Sequence, residues 1–160
     1  MNDKINSILR NTYFRESLRK LNNLEENRVF CIHGIEHSMD VARIGYIISL
    51  EQNLNISKEL IYGAALLHDL GRVMEYEKDI PHDKGSVILA TRILKESLYS
   101  KEECEDIIKA ISSHRVKESE KSVLGDILYK SDKLSRMCFG CNAKSKCHWS
   151  DEKKNFEIKY

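Results

Sequence analysis

Apolar residues recur along this chain at the three- and four-residue spacing of helix faces, and hardly anywhere at the alternate spacing of strands. Six helices follow from that pattern. The first runs from Asp3 to about Leu21, amphipathic but so heavily charged that it reads as peripheral, and the polar NNLEEN behind it reads as a loop. The second, Glu36 to Gln52, aligns Val41, Ile44 and Ile48, and the third is capped by Ser57 and closes at Gly71. After Pro81, the only proline, a fourth helix spans His82 to Leu98. Ser100 with Glu103 forms a capping box for a fifth that reaches about His114, and a sixth spans about Ser122 to Met137 beyond the polar KESEK turn. The fold class is therefore all-α: a compact bundle of about six helices over residues 1–137. Residues 138–160, cysteine-rich and then polar with a short strand predicted at the end, form an appendix rather than a second domain.

Several polar residues interrupt the apolar stripes. His68 follows Ala64 by four and Asp69 follows Ala65 by four, so both continue a stripe inward. His37 lies four before Val41, His114 three after Ile111, and Asp132 four after Leu128. His82 opens its helix on a face kept small by Gly85 and Ser86. A histidine on an apolar face is ordinarily a hydrogen-bonded core residue, but two inward carboxylates on stripes without arginine or lysine need a cation. Imidazoles with carboxylates suit iron, manganese, zinc or nickel, whereas magnesium and calcium prefer oxygen alone. Six such side chains have room for two ions.

Composition narrows the partners. The 160 residues are 41% hydrophobic, enough for one domain with a real core, and 26 basic against 25 acidic side chains leave a formal charge of +1. That balance carries no global footprint for a nucleic-acid polymer or an anionic membrane. Neither a signal peptide nor a run of roughly 20 apolar residues is present, so a soluble, cytoplasmic protein is expected. Five cysteines without a secretion signal read as thiols or metal ligands in a reducing compartment.

The segments HGIEHSMDVARIG, LLHDLGR, PHDKGS, ISSHR and SDKLSR, in that order, resemble the HD-domain superfamily of metal-dependent phosphohydrolases over about residues 33–137. The resemblance implies an all-α bundle with the metal between helices. It implies that His37, His68, Asp69 and Asp132 hold one ion, with Asp69 bridging to a second held by His82 and His114. This chain lacks the GYP signature of the cyclic-dinucleotide phosphodiesterases, and it has His114-Arg115 where the dinucleoside-tetraphosphate hydrolases tend to carry a second His-Asp pair.

The implied chemistry is hydrolysis of a nucleotide or another small phosphate ester, with a metal-bridged hydroxide as nucleophile and with His68 and Asp69 at the catalytic centre. Arg72, Lys84 and Arg136 are the expected phosphate clamps, and Arg43 is read as structural. Two other readings remain open at this point: a dinuclear-iron oxygenase on the same six ligands, and a non-catalytic ligand-sensing module. His33, just ahead of the helix, could brace the ligands, and His148 has no assigned role. Cys138, Cys141 and Cys147 form a C-x2-C-x5-C motif. It fits a zinc or iron–sulfur centre completed by Cys31, Cys104 or His148, or else simple thiols packed against the domain.

Overall fold

A computed structural model of the chain describes residues 3–113 and 122–160. Eight α-helices occur among them: α1 (Asp3–Arg10), α2 (Thr12–Leu24), α3 (Ile35–Glu51), α4 (Lys58–Leu67), α5 (Arg72–Lys78), α6 (His82–Lys95), α7 (Lys101–Ser113) and α8 (Val123–Leu134). The all-α bundle expected from the pattern is present. His114, one of the six proposed ligands, lies outside the described residues.

The first expected helix is two helices, because the side chain of Asn11 accepts hydrogen bonds from the backbone N–H groups of Tyr13 at 2.9 Å and Phe14 at 3.2 Å, capping α2. Nor is this segment peripheral. Ile5, Ile8, Phe14 and Leu21 are buried, the first three within the main core cluster. High charge density masked the stripe, since charged residues fill only the outer face.

Three other helix starts are capped, whereas α4 ends at Leu67 and not at the expected Gly71. Ser57 accepts from the Leu60 amide and Ser122 from the Gly125 amide, while Ser100 and Glu103 exchange the two bonds of a capping box. The core lies where α3 and α4 pack together against α7 and α8, with α6 closing the side. α5 was not foreseen. Only Val73 of its seven residues is buried, too little to produce a stripe, and Asp79 ends it in the left-handed region at φ 54°. Where α5 starts it touches the first turn of α6: a Cβ on Gly71 would overlap the backbone of His82 and Ser86, and the Gly71 amide donates to Ser86 Oγ at 2.9 Å. Glycine at this position lets His82 approach the turn that carries His68 and Asp69.

Beyond α8 the described residues contain no strand, contrary to the expected one at the C-terminus. Three short 3-10 turns, Cys138–Gly140, Lys144–Lys146 and Asp151–Lys153, run over the bundle instead. Asn155 ties them down, its amide donating to the carbonyls of Lys133 at 2.7 Å and Arg136 at 2.9 Å. No helix among the described residues is long and apolar enough to cross a membrane.

Candidate metal centre

Three structural elements deliver four side chains to one point. His37 comes from the first turn of α3, His68 and Asp69 from the turn that ends α4, and Asp132 from the last turn of α8. One ligand atom from each lies within 4.8 Å of all the others. His37 Nε2 is 3.5 Å from Asp69 Oδ2 and 3.4 Å from Asp132 Oδ1; His68 Nε2 is 3.2 Å and 4.0 Å from the same two oxygens. His68 Nδ1 sits 2.8 Å from the Ala65 carbonyl, so that nitrogen carries the proton and Nε2 keeps its lone pair for the cluster.

Whether these residues fit a metal is decided by the atoms at the centre. His37 Nε2 and Asp132 Oδ1 are both sealed from solvent, and neither makes a hydrogen bond. Buried polar atoms left so are costly, and a transition-metal ion is a partner for nitrogen and oxygen lone pairs at once. The group therefore could hold a divalent transition metal.

The carboxylates are not without cations, as the stripes had implied. Arg72 Nε lies 3.2 Å from Asp69 Oδ1, Lys133 Nζ 2.9 Å from Asp132 Oδ2, and Arg136 Nη2 3.5 Å from Asp132 Oδ1. The helical period does not extend through 68–71, where α4 has ended, so Arg72 returns around the turn to Asp69. The cations mostly take outer oxygens, while Asp69 Oδ2 and Asp132 Oδ1 face the two imidazoles.

His82 stands to one side, Nε2 3.9 Å from Asp69 Oδ1 and Nδ1 3.2 Å from both oxygens of Glu75. A cavity of about 760 Å³ opens beside the centre, with Asp69, His82 and Asp132 in its wall together with Arg72, Lys133 and Arg136. Lys84 is not brought there; it is exposed on α6 and outside that wall. Trp149, from the C-terminal segment, completes the wall beneath the cations, its ring 4.2 Å from Arg136 Cζ and 5.1 Å from Lys133 Nζ. His148 lines the same cavity.

Sequence reasoning missed Glu25 altogether. It is 1% exposed, in the stretch read as a polar loop, and accepts from the His33 amide at 2.7 Å, from His33 Nδ1 at 2.8 Å and from the Tyr76 hydroxyl at 2.9 Å. Burial pushes its carboxyl up, but the bonds from His33 outweigh that and hold it below the usual range. For His33 burial wins over Glu25 and depresses the pKa, so the ring is neutral at pH 7, with Nδ1–H donating to the carboxylate. His33 meets His37 edge-on at 5.5 Å between ring centres and lines the cavity. No periodicity could have linked residue 25 to residue 33.

For His37, burial opposes charge, yet Asp132 and Asp69 together prevail and raise its pKa from 6.5 to about 9. The sign gives a pH prediction for chelator-treated protein. Stability from the His37 proton is complete below about pH 6.5 and is lost as pH rises through 9. A metal must displace that proton, so Mn2+ affinity should climb by up to about tenfold per pH unit below pH 9. Titrations at pH 6.5, 7.5 and 8.5 check this, and a flat profile would show that His37 is not a ligand.

Residues 34–137 match the family described as HD domain. The chain belongs to the HD-domain family. A protein of Clostridium beijerinckii, described as uncharacterized, is 42% identical over 158 residues, 99% of each chain. Ribonuclease Y of Oleidesulfovibrio alaskensis is 29% identical over 120 residues, 75% of this HD-domain chain and 21% of that enzyme. The ribonuclease Y of Mycoplasma mycoides subsp. mycoides is 31% identical over 101 residues, 63% and 18% respectively. This chain thus spans about a fifth of the length of the ribonucleases Y it matches. Among solved structures, a predicted HD superfamily hydrolase from an uncultured Thermotogales bacterium shares the fold, with a TM-score of 0.62 over 87% of this chain and 79% of that one at 23% identity.

Proposed function

We propose that this HD-domain protein is a metal-dependent phosphohydrolase acting on a nucleotide or another small phosphate ester. The observation that carries the reading is the placement of His37, His68, Asp69 and Asp132 against a cavity whose wall also holds Arg72, Lys133 and Arg136. Cations around a metal group suit an anionic, phosphorylated substrate. Ribonuclease Y is named for cleavage of RNA, whose linkages are phosphate esters, and the likeness supports phosphate-ester chemistry here. A near-zero net charge favours a small substrate over a polymer.

The proposed cofactor is a pair of divalent ions, iron or manganese ahead of zinc or nickel, which would supply Lewis acidity and a water deprotonated near neutral pH. Asp69, the member of the four-residue group that faces His82, is the proposed bridge, with His114 as the further ligand of the second ion. Glu75 holds His82 by Nδ1, which leaves Nε2 toward Asp69. Arg136 and Lys133, braced on Trp149, would orient the phosphoryl group. A phosphate-release screen on Mn2+- or Fe2+-loaded protein tests the reading. Release from a nucleotide or sugar phosphate is expected. Cleavage of an RNA oligomer alone, or dioxygen consumption without phosphate release, would overturn it.

Arg72 was expected to touch phosphate only, but its Nε also braces Asp69. Arg72→Ala should therefore lower kcat/KM by about 10- to 100-fold, the worth of one charge-assisted bond, and weaken metal binding by a similar factor. Arg72→Lys should restore little, because a single ammonium cannot serve carboxylate and phosphate together. Unchanged kinetics and metal affinity in the alanine variant would return Arg72 to a surface role.

A further inference from the structure

Four of the five cysteines, distant in sequence, line a second cavity of about 280 Å³, whose wall also includes His37 and Arg136. Cys31 comes from the segment before α3, Cys138 and Cys141 bracket the first 3-10 turn, and Cys147 follows the second. None forms a disulfide. The fifth, Cys104, is on α7 with its sulfur 3.9 Å from the Leu94 carbonyl, so Cys31 is the one that completes the C-x2-C-x5-C motif. His148, next to Cys147, lines the other cavity.

Two further observations point to a ligand. First, of residues 138–160 only Ala143 is buried, so this segment has no hydrophobic core to hold its three short turns in place. Segments of that kind hold their shape by a metal or a cross-link. Second, three cations, Lys144, Lys154 and Arg136, border the same cavity as the thiols, with Glu36 and Asp40. Lys154 Nζ donates to Asp151 at 2.9 Å on the same rim. A tetrathiolate centre carries net negative charge and needs such neighbours.

Room distinguishes a single ion from a cluster at four cysteines. With Zn–S bonds near 2.3 Å, the sulfurs of a tetrahedral zinc site lie roughly 3.8 Å apart. Cys31, Cys138, Cys141 and Cys147 border a cavity of about 280 Å³, far more room than a single ion occupies. A cubane cluster, several atoms across, holds its thiolates farther apart and fills a cavity.

We propose that Cys31, Cys138, Cys141 and Cys147 hold a [4Fe–4S] cluster, which staples the C-terminal segment to the bundle and thereby sets Trp149 against Lys133 and Arg136. The test uses full-length protein purified without oxygen and analysed for acid-labile sulfide, which the histidine–aspartate centre cannot contribute. Close to four sulfides per chain are expected, as one cubane cluster contains, with broad absorbance near 400 nm that bleaches on reduction. Cys31→Ser and Cys141→Ser should each remove the sulfide and expose the chain beyond Met137 to protease, whereas Cys104→Ser should retain both sulfide and protection. One thiolate-bound zinc per chain without sulfide would overturn the cluster, as would wild-type protein with neither sulfide nor metal at the cysteines. So would sulfide retained in both serine variants. The wild-type measurement decides even if a variant does not fold.

Discussion

Asp69→Asn should reduce turnover by more than about 10³-fold, beyond the 10- to 100-fold that loss of an outer hydrogen-bond partner costs, and should strip the protein of metal. Asp69 stands between His68, His37, His82 and Arg72, so it serves both the four-residue group and the proposed second ion. Its removal also has a consequence without metal. Burial pushes the Asp69 carboxyl up, but His68, His37 and Arg72 outweigh burial and hold it well below the usual carboxylate range. A depressed carboxyl stabilises the fold above its unfolded pKa, about 4, and loses that contribution as pH falls. At pH 7 the asparagine variant in chelator should therefore be less stable than chelated wild type by on the order of 2 kcal/mol, because Arg72 loses its charged partner. With metal present the gap should widen, since only the wild type gains from binding. Thermal denaturation of both proteins, with chelator and with Mn2+, reads all four states. A variant that keeps its metal and turns over substrate would remove Asp69 from the centre.

The second large effect is on stability. A ligand that binds only the folded chain at about 1,000 times its Kd adds roughly 4 kcal/mol. For a chain of 160 residues that is a rise in Tm of roughly 8–16 °C. Mn2+ or Fe2+ should produce it in chelator-treated protein. Mg2+ and Ca2+ at the same concentration should not, because two imidazoles point inward and hard cations prefer oxygen. His37→Ala should abolish the shift. An equal response to Mg2+ would mean that carboxylates alone bind the ion.

What the sequence made legible is what helical periodicity can carry. His37 and Asp132 interrupt apolar stripes of α3 and α8, His68 and Asp69 follow directly on that of α4, and the fold draws the four together. Capping residues located the starts of α4 and α7 to the residue, and the polar KESEK turn located that of α8. The misses share a cause: they lie where the period breaks. Asn11 interrupts a helix by a local side-chain bond, α5 is too short to show a face, and Arg72 reaches Asp69 around a turn. Glu25 and His33 meet between a helix end and a loop, and Cys31 and Cys138 converge from segments 107 residues apart that contain no α-helix. Such pairings are tertiary, and one chain read alone does not record them.

Mn2+ binding tests the four-residue centre most directly, because thiolates hold this ion weakly and the cysteine site does not interfere. Equilibrium dialysis of chelator-treated protein at pH 7.5 should give close to two Mn2+ per chain for wild type, as the six proposed ligands imply. His82→Ala should retain about one, since His82 stands outside the group of His37, His68, Asp69 and Asp132. His68→Ala should lose tight binding altogether. A His68→Ala protein that binds Mn2+ in the wild-type number and with wild-type affinity would contradict the assignment of the centre.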